Sequence, residues 1–413
     1  MKLAKFSLLL VILLDVMGQG LVIPILTTIL MDADQTFLAK DTSKGTRQFY
    51  FGITMALFYL GWFLGAAYIS KLSDYIGRKQ GILICLGGTL SGYILTIFAL
   101  SFDSLILLVL ARMITGFTAG NQPIAQAALV DSCKSDDDKN RAMGLVVVAI
   151  SIGLVMGPLL GGLLSSESII GNLASIQLPF YVGGSLVLLC IVLILLSFHN
   201  VNFKRRKIKV GILDVFTNLW AIFKHPLTLR IAAVYFFSQI ALNVFFIFVD
   251  DYLQSRFNFS TLQNSIILIV FGLAIAFSGS VLVAPLARKF RKKRIVYATL
   301  FIMGIGLILF ILNPIAQLSY LLMIPIVVAW AVNYPLILTL FSNSVNDQEQ
   351  GWVMGISIAL FTIGSGLISL LGGQLMAINI NLAFALGAVS AFLAAAFVMI
   401  FWRGKAFDKI DTI

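Results

Sequence analysis

Twelve stretches of mainly apolar residues, each long enough to cross a bilayer as a helix, run along this chain of 413 residues. A membrane-spanning helix needs about 20 such residues. Hydrophobic residues make up 60% of the sequence and charged residues 11%, which is more apolar surface than a soluble core can hide. We therefore expect an all-α polytopic membrane protein with twelve transmembrane helices. The stretches cover residues 6–31, 49–71, 81–101, 104–130, 142–165, 176–198, 228–253, 262–287, 295–313, 318–343, 352–376 and 380–402.

One long polar segment divides the stretches into two groups of six. It carries a basic run at 204–209 and then an amphipathic stretch, which predicts a helix lying on the inner leaflet. We predict an N-terminal half at 1–198, a cytoplasmic linker at 199–224 and a C-terminal half at 225–413. Sliding the sequence over itself places Gly65 on Gly279, which supports two repeated halves.

Lysine and arginine set the expected orientation, because cytoplasmic loops are enriched in both. Of the 29 in the chain, 24 fall on the side that holds the termini, and four fall in the opposite loops. We expect an integral, multi-pass protein of the inner cell membrane with both termini in the cytoplasm. This distribution explains the net charge of +11 without a nucleic-acid partner.

Other protein classes lack support. The three cysteines, Cys85, Cys133 and Cys190, have no metal-ligand spacing. No GxxxxGK[ST], HExxH or GxSxG pattern occurs, so we expect neither an ATP-driven pump nor an enzyme.

The boundary between the second and third stretches combines small and charged residues. Gly65 leaves room for a neighbouring helix. Asp74 sits where a helix C-terminus disfavours an acid, so we expect a positive partner, either Arg78 and Lys79 or the N-terminus of another helix. Together with Gly77, these residues resemble the loop signature between helices 2 and 3 of the major facilitator superfamily; an ordinary positive-inside loop is the alternative. The resemblance implies a gating role for this loop, and two six-helix halves around a cavity lined by helices 1, 4, 7 and 10.

Asp15 lies about ten residues into the first stretch, close to the bilayer midplane at about 1.5 Å per residue. Burying a charge there costs at least about 2.5 kcal/mol, so function is the default interpretation of such an acid. We predict that Asp15 binds the coupling proton. The alternative is structural, as part of an ion pair or as a cap where Gly18, Gly20 and Pro24 break the helix. The segment DVMGQGLVIPIL resembles helix 1 of drug-exporting facilitators, the tetracycline antiporters in particular.

Arg112 lies near the same depth in the fourth stretch. With Gly116 it resembles the helix-4 motif that is tied to proton coupling in the superfamily. Arginine does not release its proton in proteins, so Arg112 would either stabilise the charged form of Asp15 or receive an anionic part of the substrate. The alternative is a side chain that extends toward the outer headgroups.

Amide and aromatic side chains in the expected cavity helices are the substrate-binding candidates. They suit a large, partly apolar ligand that needs few fixed contacts, although each could instead serve interhelical packing. They are Asn121, Gln122 and Gln126 in the fourth stretch, Tyr235, Phe236, Gln239 and Asn243 in the seventh, and Trp330, Asn333 and Tyr334 in the tenth. Asp250 and Asp251, at the end of the seventh stretch, are expected to be solvated.

The fifth stretch contains GLVMGPLLGG, in which small residues recur at three- and four-residue spacing. Such glycines form a groove for a neighbouring helix, and a proline bends its own helix. The string resembles the helix-5 motif of antiporters in the superfamily, which favours export and implies a gating role. Its members are Gly153, Gly157, Pro158, Gly161 and Gly162.

The specific motifs all lie in the first half, and the second half is expected to hold no intramembrane charge. Tetracycline exporters also carry acids in helices 3 and 9, and none occurs there in this sequence, which argues against tetracycline itself. We expect a monomeric, proton-coupled antiporter that exports amphipathic small molecules by alternating access, with the proton as coupling ion and no cofactor or metal. The alternatives are a proton symporter that imports a nutrient, metabolite or siderophore, and a non-transporting sensor or scaffold.

Overall fold

The computed structural model describes residues 2–32, 37–133, 136–198, 211, 214–346 and 349–412. Within these ranges the chain is helical and has no β-strand, and twelve helices are long and apolar enough to cross a membrane, as predicted. We number them α1 to α12 along the chain. They are Leu3–Met31, Lys44–Ile76, Arg78–Ser101, Leu105–Asp131, Ala142–Leu164, Leu178–Ser197, Pro226–Phe257, Thr261–Lys289, Lys292–Leu312, Leu318–Asn343, Trp352–Ile378 and Ile380–Phe401.

Both faces of these helices are apolar, as a helix between lipid and other helices requires. In α6, Val187 and Ile194 are buried, whereas Leu188 and Leu196 are exposed. The inward face packs against other helices, and the outward face is left to the hydrocarbon chains of the bilayer.

The fourth helix is interrupted, although the sequence predicted one continuous stretch. A turn at 118–120 separates its two segments, Leu105–Phe117 and Asn121–Asp131. Pro123 lies in the first turn of the second segment, where a missing N–H group costs no hydrogen bond. An unbroken helix would bring its ring against the carbonyl group of Ala119, so the chain breaks before it.

A short helix, Asp214–Ala221, precedes α7 and continues as a 3₁₀ turn, Ile222–Lys224. Trp220 and Phe223 are strongly exposed in it, and their ring centroids lie 5.4 Å apart. Exposed aromatic rings on a short amphipathic helix suit the membrane interface predicted for this segment. The basic run at 204–209 and the remainder of 199–210 lie outside the described residues.

The helices group into two compact units. Unit 1 comprises Met1–Ser43, Ile53–Asp214 and Phe259–Ile269; unit 2 comprises Lys44–Gly52, Val215–Asn258 and Val270–Ile413. The start of α2 thus belongs to unit 2, and the start of α8 belongs to unit 1. The predicted halves at 1–198 and 225–413 follow the polar interruption in the sequence and remain a prediction.

Asp250 and Asp251 correct the expectation of solvated acids, because both are fully buried in unit 2. Gln48 Nε2 lies 3.4 Å from one Asp251 carboxylate oxygen, and Ser255 Oγ donates to the other at 3.0 Å. A Cβ atom on Gly52 would lie 2.5 Å from the carbonyl oxygen of Ser369 in α11, so the start of α2 packs closely here. The second half therefore does contain buried acids, which tertiary packing hides at the end of α7.

Candidate functional site

Asp15 lies on an unbroken α1, because the helix continues through Gly18, Gly20 and Pro24. Its carboxyl group lies beside the Asn121 side chain and the backbone N–H group of Gln122, and both donors favour its charged form. Both donors belong to the first turn of the second α4 segment, whose N-terminus carries partial positive charge. Asp15 therefore does face the start of a broken helix, but the broken helix is α4.

A recess in unit 1 surrounds the carboxyl group with polar side chains from three helices. Its volume is about 30 Å³, enough for about two water molecules. The polar groups that line it are Asp15, Gln19, Thr89, Tyr93, Arg112 and Thr115. Of these residues, only Asp15 and Arg112 were predicted from the sequence.

Arg112 is buried inside unit 1, with 4% of its surface exposed. Its guanidinium carbon lies 4.1 Å from the centroid of the Phe58 ring, in a cation–π contact. This position contradicts the alternative in which the side chain extends to the headgroups. Arg112 and Asp15 line the same recess without a direct ion pair, and the Arg112 Nε atom has no hydrogen-bond partner among the described residues.

Tyr93 of α3 is another of the polar residues that line the recess. Its hydroxyl group is buried and has no hydrogen-bond partner within the described part of the chain. A Cβ atom on Gly18 would lie 2.6 Å from the Tyr93 oxygen, so glycine at 18 allows the hydroxyl group to approach α1. Tyr93 was not predicted from the sequence, and the signal that could have identified it is a tyrosine inside the apolar LGGTLSGYIL stretch.

The helix-5 motif holds α1 in place. A Cβ atom on any of three glycines would overlap the α1 backbone; these are Gly153, Gly157 and Gly161. Pro158 packs against Gly20 of α1, where a Cβ atom would lie 2.7 Å from the proline Cδ atom. Gly162 faces Ser265 at the start of α8. Four of the five motif residues predicted for gating thus form the packing surface behind the helix that carries Asp15.

The loop signature joins α2, α3 and α4. Asp74 pairs with Arg78 at 2.6 Å, so its partner is a residue of its own loop. Arg78 also approaches Asp131 at the end of α4, with 3.7 Å between Nε and the carboxylate oxygen. Gly77 has φ of 107°, which L side chains rarely adopt, and it directly precedes α3.

Two further members of the signature make contacts elsewhere in unit 1. Gly65 packs onto the carbonyl group of Phe117, the last residue before the turn in α4, and a Cβ atom would overlap that group. Lys79 Nζ donates to the carbonyl oxygen of Leu195 in α6 at 2.8 Å. The loop and the broken helix are therefore packed as one assembly.

In unit 2, the predicted candidates of α7 and α10 form a bonded cluster. Gln239 donates to the Tyr235 hydroxyl group at 3.0 Å and accepts from Trp330 Nε1 at 2.6 Å. The Trp330 and Tyr334 rings stack with centroids 4.8 Å apart. The amide thus fixes two aromatic side chains on facing helices.

The remaining candidates differ in their surroundings. Asn243 and Asn333 are buried, and Asn243 Nδ2 and both polar atoms of Asn333 lack hydrogen-bond partners among the described residues. The ring centroids of Phe236 and Phe237 lie 5.8 Å apart, and Phe236 is not part of the Gln239 cluster. Gln126 is half-buried on the second α4 segment and is not among the described residues that line the recess. The structure therefore brings together one candidate group around Asp15 and a second around Gln239.

The chain is similar to known proteins over most of its length. The family model described as Major Facilitator Superfamily matches residues 8–357 and, in a second match, 231–411. The chain is 26% identical over 361 residues to the class C tetracycline resistance protein of Escherichia coli, covering 85% of this chain and 84% of the relative. It is 23% identical over 369 residues to the quinolone resistance protein NorA of Staphylococcus aureus (strain MSSA476), covering 88% of each.

Solved structures share the fold at lower sequence identity. A crystal structure of a D-xylose-proton symporter matches with a TM-score of 0.78 and 17% identity, covering 96% of this chain and 97% of the other. The human organic anion transporter MFSD10 matches with a TM-score of 0.71 and 17% identity, covering 96% and 99%. At such identity these likenesses show the arrangement of the helices alone.

Proposed function

Since the chain belongs to the major facilitator superfamily, we propose that it is a proton-coupled antiporter that exports amphipathic small molecules by alternating access. Relatives at 23–26% identity that are named for resistance to quinolones and tetracyclines support export of drug-like molecules. The distribution of lysine and arginine supports cytoplasmic termini in the inner cell membrane. A monomer with the proton as its coupling ion, and no cofactor, is part of the same proposal.

The observation that carries the proposal is the setting of Asp15. An acid in the middle of a membrane helix is costly unless it has partners or a function. Its charged form is held by the Asn121 side chain and the N-terminus of the second α4 segment. Protonation removes the charge that this helix end attracts, so proton binding changes how α1 and α4 hold each other. Such a change is what a coupling group must produce.

The aromatic cluster of unit 2 supports an amphipathic substrate. Trp330 and Tyr334 offer flat apolar rings, and Gln239 fixes the indole ring. Asn333 adds buried polar atoms that have no protein partner within the described residues. Few fixed polar contacts beside aromatic surface suit ligands of varied shape.

The direction of transport in proteoliposomes tests the proposal. An imposed pH gradient should drive fluorescent amphipathic dyes opposite to the flow of protons. Movement in the same direction as the protons would favour a symporter, and the absence of transport for any solute would favour a sensor or scaffold. Asp15→Asn should abolish gradient-driven accumulation, whereas Asp103→Asn, in the loop between α3 and α4, should not. Full accumulation by Asp15→Asn would contradict the role of this acid.

A further inference from the structure

Arg112 presents an unused set of hydrogen-bond donors to the recess. Its guanidinium group carries five N–H donors and no acceptor. The side chain is 4% exposed and stacks on Phe58, yet its buried Nε atom has no hydrogen-bond partner among the described residues. Burial without an acceptor is unfavourable, so the site is complete only when something else supplies oxygen atoms.

The neighbouring acid does not fill this need. Asp15 is directed to the Asn121 side chain and the Gln122 N–H group, and it forms no ion pair with Arg112. Tyr93 adds a second buried donor without a partner in the described part of the chain. Asp15 thus has hydrogen-bond donors beside it, whereas Arg112 and Tyr93 have donors without an acceptor among the residues that the structure describes. The missing group is an acceptor that carries negative charge.

The size of the recess indicates which anion fits. Its volume of about 30 Å³ accommodates about two water-sized atoms. A carboxylate presents two oxygen atoms in one plane, and arginine binds this shape through two parallel hydrogen bonds. The rest of an amphipathic ligand would lie outside the recess.

Asp15 adds a condition on the ligand. Of the described groups that titrate or carry charge, Tyr93 and Cys85 of α3 and Arg112 of α4 lie near it. A ligand with only a carboxylate would favour protonation of Asp15, so ligand and proton would bind together. A ligand that also carries an ammonium group would compete with the proton for Asp15, as antiport requires.

We infer that the recess receives the charged end of a zwitterionic amphiphile, with its carboxylate on Arg112 and Tyr93 and its ammonium group toward Asp15. The ammonium part of this inference rests on the proposed antiport. The carboxylate part rests on the unpartnered donors alone. The simplest competing description is that two water molecules permanently fill the recess.

Three matched probes separate these descriptions: 2-naphthylalanine, its carboxamide and its N-acetyl derivative. The carboxamide lacks the carboxylate, and the N-acetyl derivative lacks the ammonium group. Binding is measured by isothermal titration calorimetry at pH 7 with the purified full chain in detergent, without a gradient. The wild-type protein should bind 2-naphthylalanine about 10- to 100-fold more tightly than the carboxamide, because a bidentate charged pair is lost.

Variants assign each end of the probe. Arg112→Gln should bring the acid-to-amide affinity ratio close to one while leaving carboxamide binding intact, which also shows that the variant is folded. Arg112→Lys should retain part of the ratio, since lysine keeps the charge without the planar fork. Asp15→Asn should abolish the preference over the N-acetyl derivative and retain the acid-to-amide ratio. Arg230→Gln, an exposed arginine in unit 2, should match the wild-type protein.

Equal affinity for acid and amide in the wild-type protein, no binding of either, or an unchanged ratio in Arg112→Gln would overturn the inference. The first two results are what permanently bound water predicts, and the third would show that the carboxylate binds away from Arg112. The assay involves no transport, so it can fail while pH-driven exchange persists, and the antiporter then lacks this subsite. If pH-driven exchange fails and the acid-to-amide affinity ratio still depends on Arg112, the carboxylate site is supported and the proposed antiport is contradicted.

Discussion

The Asp15 carboxyl group of α1 lies beside the side chain of Asn121, the first residue of the second α4 segment, which favours the charged form of the acid. A turn at 118–120 makes this contact possible, because it frees the N–H groups of a new helix N-terminus inside the unit. The acid and the broken helix therefore form one feature, and a change in either should affect coupling.

Asn121→Ala removes the side-chain donor and leaves the Gln122 N–H group in place. A hydrogen bond to a charged group contributes about 1.5–3 kcal/mol, so we expect pH-driven exchange to fall about tenfold or more. Initial rates in proteoliposomes measure the effect. Gln177→Ala removes a solvent-exposed hydrogen bond from the amide to Ser101, outside the recess, and serves as the control. Equal rates for Asn121→Ala and the control would show that this contact does not contribute to coupling.

Gly157→Ala should disturb the packing of α1. Its Cβ atom would overlap the carbonyl oxygen of Met17, and overpacking of this kind costs about 1–3 kcal/mol. We expect a lower unfolding temperature in detergent and slower exchange. Gly144→Ala lies on the same helix in open space, so it should be neutral or slightly stabilising. The prediction is wrong if the two alanine variants unfold at the same temperature.

The Asp74–Arg78 pair should contribute little to stability. Its side chains are 40% and 27% exposed, and such pairs contribute about 1 kcal/mol or less. A double-mutant cycle with Asp74→Asn and Arg78→Gln, followed by thermal unfolding, measures the coupling energy. A role in gating predicts that turnover falls in both single variants while unfolding barely changes. A coupling energy above about 2 kcal/mol would instead identify the pair as structural.

Trp330→Phe keeps an aromatic ring and removes the N–H donor to Gln239. The Gln239 oxygen would be left buried without this donor, which costs about 1–3 kcal/mol. We expect the KM for aromatic dyes to rise about fivefold or more, with less effect on the maximal rate. Trp220→Phe, on the exposed face of the short helix before α7, is the matched control. An unchanged KM would remove the α7–α10 cluster from the binding site.

The sequence by itself determined that the chain crosses a membrane twelve times and that Asp15 and Arg112 lie at similar depth. A bilayer forces each long apolar stretch to satisfy its backbone hydrogen bonds internally, so hydropathy alone predicts the helices. The glycines of the helix-5 motif could be assigned to packing for a similarly local reason, since a residue without a Cβ atom leaves a groove.

Tertiary structure decided which side chains meet. The break in α4 brings Asn121 to Asp15, and Tyr93 reaches the recess only because Gly18 of α1 faces it. Asp251, at the end of an apolar stretch, is buried because Gln48 and the start of α2 pack beside it. Such contacts depend on how helices rotate and cross. The hydropathy of one helix does not indicate which face of a neighbouring helix packs against it. These contacts therefore could not be predicted from single apolar stretches.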